Sequence, residues 1–551
     1  MKRRTTLKLL GGAAAAGTLT GLTAGCSGDS SGGGSVLTVG MPNSTQTHNN
    51  NPFSPGSSAN SLGYRFLMYE PLAHVNQIDP ASEPTPWLAT EWAWNEDYTN
   101  LEITVRKDVK WSDGTDFTAG DVAFTYNLIK DNEAFNGEAI PYVDVTAADD
   151  TVTLTFERPQ LINQQKIINV FIVPEHLWSK IDNPVEDTVK SPIGTGPYTL
   201  KSWTAQAVTM VANKDYWGGE LEVPEVRYTS YNDNNAQTTA LVSGACQWSY
   251  VFMPDYEKIY IDKDPENNNL WFPSGLGIHA LWLNHKRKPF DQLAFRKAMN
   301  MVINRETVHV QGESRLYPLI ESLTGIPRPA GDAFIAAEYK DAVAKVDVEG
   351  AKEVLTEGGF TYDGDTLIDP DGDPVSITLI DPSGWSDYLA SLQIIADNLK
   401  EIGVEAKVEN PTVDNWNVAM AEGDFDASLH WTNTGFTPWD IFANIMDGKQ
   451  YREIGESATW NFGRYENDEA TKAIETYASS TDEAELTAAL ETLQQIMVED
   501  VPVIPLVAGP IGAEYSTKHW VGWPSEDDPY AAPQPTQASA SLILTRLKPA
   551  G

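Results

Sequence analysis

An α/β protein built as two or three lobes is what the sequence predicts, and three observations predict it. The chain has 551 residues, more than one hydrophobic core ordinarily serves. Its hydrophobic content is 41%, enough to fill several cores. In the second half, stretches of helical period alternate with stretches of period two, the order expected where helices cover a sheet.

Taken in chain order, the first segment stands outside that fold. A basic start, KRRTTLKLL, leads into an apolar, small-residue run, GGAAAAGTLTGLTAG, that meets Cys26. The run is short and Gly-rich, so it predicts an export signal and not a spanning helix. Arg3-Arg4 with Leu7-Lys8 resembles a twin-arginine signal. Thr23-Ala24-Gly25-Cys26 resembles a bacterial lipobox, with Thr23 where Leu is usual. The expectation is a signal peptide over residues 1–25, a lipid anchor on Cys26, and a Ser/Gly tether over residues 26–35. An ordinary secretory signal with an incidental Cys is the competing reading. Cys246 is the other cysteine of the chain. With Cys26 lipidated it has no disulfide partner, and it is expected as a small buried side chain.

SVLTVGM then reads as a strand. LEITVRKDVKWSDG places Leu101, Ile103 and Val105 on one face and turns at Asp113-Gly114. TVTLTF repeats the period with Val152, Leu154 and Phe156. DQLAFRKAMNMVINRETV predicts a helix with Phe295, Met299, Val302 and Ile303 in line and Asp291 as N-cap. LQIIADNLKEIGVEAKV lines up Leu392, Ile395, Leu399 and Ile402 before Gly403 ends the helix. Val404, Ala406 and Val408 then alternate as a strand. Ser480 and Glu483 predict a capping box ahead of the stripe Leu486, Leu490, Leu493 and Met497. DPDGDP (369 to 374) opens like a calcium loop, but an EF-hand needs Glu where Ile380 stands, so it predicts a turn.

Composition excludes several functions. With 77 acidic and 38 basic residues the net charge is −39, which suits no nucleic-acid partner, because phosphate contacts need Lys and Arg. The eight His are scattered without HExxH or a Cys/His cluster, so no metal is expected. No G-x-S-x-G, Walker loop or strand-to-helix G-x-G-x-x-G occurs. Among so many carboxylates a glycosidase-like pair arises by chance. The expectation is a non-enzyme without cofactor. One segment breaks the acidic pattern. In FDASLHWTNTGFTPWD (425 to 440) no Asp, Glu, Lys or Arg occurs from Ala427 to Pro438, while Trp431, Phe436 and Trp439 sit among hydroxyl and amide side chains.

Several segments in fixed order carry a family resemblance. They are NPF (51 to 53), YEPL (69 to 72), VKWSDGTDFTAGDVAFTYN (109 to 127), PIGTGPYTLKSW (192 to 203) and ANKDYWGG (212 to 219). LWLNHKRKPFDQLAFRKAMNMVINRE (281 to 306), AKEVLTEGGF, LKEIGVEAKVE and IMVEDVPVIPL complete the series. Together they resemble the family 5 extracellular solute-binding proteins, the peptide, nickel and oligosaccharide receptors of ABC importers. The resemblance implies a three-lobed periplasmic-binding-protein-like fold of the peptide-binding type, with the ligand cleft between lobes. Residues 36–78, 191–284 and 511–551 would form lobe I, 79–190 lobe II and 285–510 lobe III. It further implies hinge closure on a solute and delivery to the permease subunits of the importer. The receptor would be a monomer, lipid-anchored at the extracellular face of the cytoplasmic membrane. The WSDG block is then a structural hairpin of lobe II.

Peptide-binding members of that family follow a Trp in this region with an Ala-Asp-Tyr-like element whose Asp pairs with the ligand's α-amino group. Here Thr434 stands nearest that Asp, and a neutral hydroxyl does not compensate a buried ammonium. Asp440 and Asp426 are the acids left to replace it. A sugar asks instead for flat aromatic faces and for amide, hydroxyl and acid partners to its hydroxyls. Trp431, Asn433, Thr434, Phe436 and Trp439 supply that mixture, and PSGWSDY (382 to 388) repeats it with Trp385 and Asp387 beside Tyr388. CQWSY (246 to 250), with Trp248, and WFPSGLGIH (271 to 279) are further walls. Asn51, Tyr69 and Glu70 face the cleft or fix lobe I. Core packing is the competing expectation for each aromatic, and Trp87, Trp92, Trp94 and Trp111 are expected to be structural. An oligosaccharide is the first expectation for the ligand, a peptide the alternative, and a secreted glycan-active enzyme the third.

Overall fold

Strands form where the period of two finds a covered face. The computed structural model describes residues 36–551 except 43, 44, 55, 81, 138 and 139. The expected signal peptide, Cys26 and the tether lie outside the described residues. Val36–Met41 occupies the interior of a seven-stranded sheet in the order Asn268–Trp271, Ala513–Ser516, Trp248–Ser249, Val36–Met41, Glu225–Ser230, Ala207–Ala212, Tyr198–Trp203. It runs parallel to both neighbours, while the flanking pairs are antiparallel. Leu37, Val39, Val226, Tyr228 and Trp248 fill the core beneath it.

A four-stranded antiparallel sheet of Ala89–Trp94, Asn100–Val105, Thr151–Phe156 and Tyr142–Ala148 makes a second body. Leu101, Ile103, Val105, Val152, Leu154 and Phe156 are all buried, as their spacing predicts. The helix Ala119–Asp131 packs on that sheet. It starts at a capping box in which Asp121 accepts the Thr118 backbone N–H. WSDG is a tight turn, with the Trp111 N–H donating to the Thr115 carbonyl at 2.8 Å. Gly114 there adopts φ +89°, a conformation that favours glycine.

The third body is a five-stranded mixed sheet in the order Glu405–Glu409, Ser376–Ile380, Ala427–Trp431, Ser274–Leu283, Val503–Pro510. Leu293–Val302 and Ser386–Lys400 cover one face through Phe295, Met299, Leu392, Ile395 and Leu399. Trp439–Met446, Asp468–Ser479 and Glu483–Asp500 cover the other. Ser274–Leu283 corrects the expected lobe boundary, since residues up to 284 were assigned to lobe I. This strand pairs instead with Ala427–Trp431 and Val503–Pro510. Being central, it is buried almost without interruption, not on alternate residues.

Two helix starts also differ from expectation. Gln292, not Asp291, precedes Leu293–Val302, and the helix ends before Ile303. Asp482, not Ser480, caps Glu483–Asp500, because its carboxylate accepts the N–H groups of both Ala484 and Glu485. Residues 369 to 374 form a turn in which Asp369 accepts from the N–H groups of Asp371 and Asp373. Cys246 is a buried free thiol.

Candidate functional site

Where the strand Ala427–Trp431 ends, a cavity of about 390 Å³ opens between the first and third bodies. The third body contributes His279, Tyr317, Trp385, Asp387, Tyr388 and 431–434. The first contributes Asn234, Tyr250 and Phe252, with Gln534 and Gln537 from the last segment of the chain. Among the described residues, no Lys or Arg lines it.

Trp431 is 37% exposed although it closes a central strand. Its ring lies on His430, with centroids 4.2 Å apart and planes 23° apart, and His430 stacks on buried Trp416 at 5.2 Å and 16°. Burial pushes the His430 pKa down to about 4, so the stack behind Trp431 is uncharged. Trp385, just ahead of the helix Ser386–Lys400, meets Tyr388 edge-on at 5.6 Å and lies 6.1 Å from Trp431. Thr434 fits against the central strand only because glycines face it. A Cβ on Gly277 would come within 2.6 Å of Thr434 Oγ1, and one on Gly275 within 2.9 Å of its Cγ2. The Asn433 backbone N–H is held by Asn444 Oδ1 at 2.8 Å.

Among the described residues, Asp387 is the one acid of the lining. Asn234 Nδ2 donates to it at 3.3 Å, and burial pushes its pKa up to about 6. Behind it Glu313 accepts from Ser391 Oγ at 2.8 Å while its Oε2 has no partner. Burial first, and the Asp387 charge second, hold the Glu313 pKa well above the usual range. Glu313 is therefore the neutral member of the pair and Asp387 the anion at neutral pH. His279 accepts from or donates to the Tyr388 hydroxyl through Nδ1 at 3.1 Å, and burial keeps it neutral, near pKa 3.

This arrangement has a pH consequence. The folded pKa of Asp387, about 6, exceeds the unfolded value of about 3.9. The folded chain thus holds more protons in that window, and its stability falls as pH rises from about 4 to about 6. Asp387→Asn is expected to melt higher than the wild type at pH 8, by up to about 3 kcal/mol in unfolding free energy. The gap closes as the pH is lowered towards 4. Calorimetric melting across pH checks it, and an equal gap at every pH would refute it.

Of the predicted residues, Trp431, Asn433, Thr434, Trp385 and Asp387 meet in this cavity. Five others lie elsewhere. Trp439 donates through Nε1 to the Ile474 carbonyl at 3.0 Å, and Lys166 Nζ sits 4.5 Å from its ring centre. Trp248 is fully buried, bonded to the Pro533 carbonyl and set edge-on to Trp523. Asn51 spends its amide on the carbonyls of Pro184 and Asp187. Tyr69 is fully buried in the first core. Glu70 accepts from Trp87 Nε1, Tyr216 OH and Trp217 Nε1 at 2.7, 2.7 and 2.8 Å. Glu70→Ala orphans one buried and two part-buried donors and is expected to cost about 3 kcal/mol in urea unfolding, with no effect on ligand affinity.

The acids expected to replace the missing Asp are both engaged. Asp440 pairs with Lys166 at 2.5 Å, with side-chain exposures of 6% and 12%. Asp426 accepts from the Thr378 N–H and pairs with Arg287. Asn234, Tyr317, Gln534 and Gln537 were not expected from sequence, and His279, Tyr250 and Tyr388 only as neighbours of expected walls. A second cavity of about 530 Å³ adjoins the first, sharing Asn60, Asn433, Thr434 and Gln537.

A cleft between lobes, with aromatic and amide or hydroxyl walls around a single acid among the described residues, defines a protein that binds a small solute. Comparison with known proteins specifies which kind. The model of the bacterial extracellular solute-binding proteins, family 5 Middle, matches residues 83–452, and the chain belongs to that family. It is 26% identical over 428 residues to the oligopeptide-binding protein AppA of Bacillus subtilis, covering 73% of this chain and 74% of that one. It is 25% identical over 404 residues to the nickel-binding periplasmic protein of Escherichia coli, covering 70% and 73%. Among solved structures, it is similar to the mannohexaose-bound periplasmic oligopeptide-binding protein of Thermotoga maritima. That match has a TM-score of 0.83 and 26% identity, over 94% of this chain and 99% of the other. The fold is thus the mixed α/β fold of periplasmic binding proteins, and the family serves ABC importers as extracytoplasmic solute-binding proteins, not as enzymes.

Proposed function

We propose that the protein captures an oligosaccharide by closure of its lobes and hands it to the permease of an ABC importer. The observation that carries this reading is the first cavity, where Trp431, Trp385 and Tyr388 stand among amides and hydroxyls with no Lys or Arg in the lining. Such a wall covers the apolar face of a pyranose and satisfies its hydroxyls. The T. maritima relative solved with mannohexaose supports it. Cys26 would anchor the receptor by lipid, after export by the twin-arginine or general route, and it would work as a monomer.

Calorimetry with cello-, xylo- and manno-oligosaccharides and with peptides tests the proposal. Micromolar binding of one sugar series is expected. Silence towards all sugars with micromolar peptide binding would overturn it. The peptide reading has one observation in its favour: Asp387 is a buried anion able to meet an α-amino group. Added nickel is expected to leave the melting temperature unchanged.

A further inference from the structure

The second cavity differs from the first in charge. Its lining includes Arg65, Lys166 and Asp440. Lys166 and Asp440 pair with each other, but Arg65 meets no carboxylate among the described residues. Its Nη1 donates to the Pro52 carbonyl at 3.0 Å, and its Nε is buried with no hydrogen-bond partner. The guanidinium carbon lies 4.6 Å from the ring centre of Phe66 and 5.1 Å from that of Phe171. Phe171 and Phe135 both pack on Phe53, so aromatic rings shield one side of the charge. Burial pulls its pKa down only to about 10, and Arg65 remains a cation at neutral pH.

A desolvated guanidinium is costly unless an anion compensates it. The two rings supply part of that compensation through cation–π contact, but they leave the polar edge of the fork unsatisfied. That edge offers parallel N–H donors at the spacing of carboxylate or phosphate oxygens. In a chain of net charge −39, a cavity whose described lining holds Arg65 and Lys166 against the one acid Asp440 does not follow from composition. Each cavity alone has the size of a small-molecule site, about 300–1,000 Å³, and the shared Asn60, Asn433, Thr434 and Gln537 join them.

We propose that the ligand spans both cavities and is an acidic oligosaccharide, whose neutral units stack in the first while Arg65 binds a carboxylate or phosphate on a unit in the second. This rests on the oligosaccharide reading. Beside Phe53, Phe66 and Phe171, where the charge is partly desolvated, a salt bridge to that oxyanion is stronger than one at the surface.

The test is calorimetry of the protein with three forms of one oligosaccharide: neutral, terminated by a uronic acid, and terminated by a sugar phosphate. At least one acidic form is expected to bind about 10-fold or more tightly than the neutral form, and the stronger of the two identifies the oxyanion. Arg65→Gln is expected to abolish the preference and leave neutral-sugar binding in place, while Arg65→Lys keeps part of it. Equal affinity of the wild type for all three forms, or a preference that survives Arg65→Gln, overturns the acidic-sugar inference and leaves the oligosaccharide reading standing. Peptide binding with no sugar bound overturns both. Should Arg65→Gln not fold, Arg65→Lys and the wild-type comparison decide.

Discussion

Trp431→Ala is expected to raise the oligosaccharide dissociation constant about 30-fold while moving the melting temperature little. The ring is 37% exposed and rests on His430 with one face, so its removal opens no enclosed cavity in the core. What it removes is the open face against which a sugar ring would stack, worth about 2 kcal/mol in burial and aromatic contact, which is about 30-fold in affinity. Trp416→Ala is the contrast. That ring is 1% exposed, and its Nε1 donates to Ser428 Oγ. Its loss should cost about 3–5 kcal/mol of stability. Calorimetric titration and thermal melting of both variants separate the roles, and an unchanged dissociation constant for Trp431→Ala would mean that the ligand does not stack there.

Asp440→Asn is expected to weaken binding still more, by about 100-fold, through a pair that touches no ligand in the first cavity. Lys166 rides on the short helix Gln164–Ile168, whose Ile167 and Ile168 belong to the core of the four-stranded body. Asp440 opens the helix Trp439–Met446, whose Ile441 and Phe442 belong to the five-stranded body. The ion pair therefore bridges two lobes, and Lys166 lies over the Trp439 ring as well. Removing one partner of a buried pair costs about 3–5 kcal/mol, because the remaining charge loses the Coulombic attraction that offsets its desolvation. In an open molecule water can reach Lys166, so most of that cost falls on the closed, ligand-holding state. The expected signature is a large loss of affinity with a smaller shift in the melting temperature of the ligand-free protein. Lys166→Met with Asp440→Leu should restore much of the affinity. A melting shift without any affinity loss would show instead that the pair is a static support.

The sheets were legible in the sequence wherever burial alternates. Leu101, Ile103 and Val105 could be placed because one face of their strand meets solvent. Ser274–Leu283 could not, since a strand with neighbours on both sides and helices above and below loses the period that betrays it. Helix stripes were equally plain, but starts slipped by one or two residues. Ser480 and Asp482 are both good caps, and only the direction of the chain decides which meets the free N–H groups.

Half of the candidate site was visible because its residues lie in charge-free or aromatic-rich loops at strand ends. The rest was not. Trp248 and Tyr69 are aromatic like Trp385, and only packing separates a core ring from a cleft ring. Glu70 reads as a cleft acid until Trp87, Tyr216 and Trp217 are seen to converge on it. Asn234, Tyr317 and Gln534 reach the cavity from three widely separated segments of the chain, so no local pattern marks them.

The seven-stranded sheet sets an order of assembly. Val36–Met41 is among the first strands to leave the ribosome, yet Ala513–Ser516, which joins Trp248–Ser249 to Asn268–Trp271, is among the last. The helix Ser539–Arg546 that seals the same core comes later still. At about 5–20 residues per second, translation separates these partners by tens of seconds. The four- and five-stranded sheets are each drawn from a narrower span of chain and can form earlier. The first lobe is thus the last to fold, and until its C-terminal strand arrives it exposes an unpaired edge to chaperones and to aggregation.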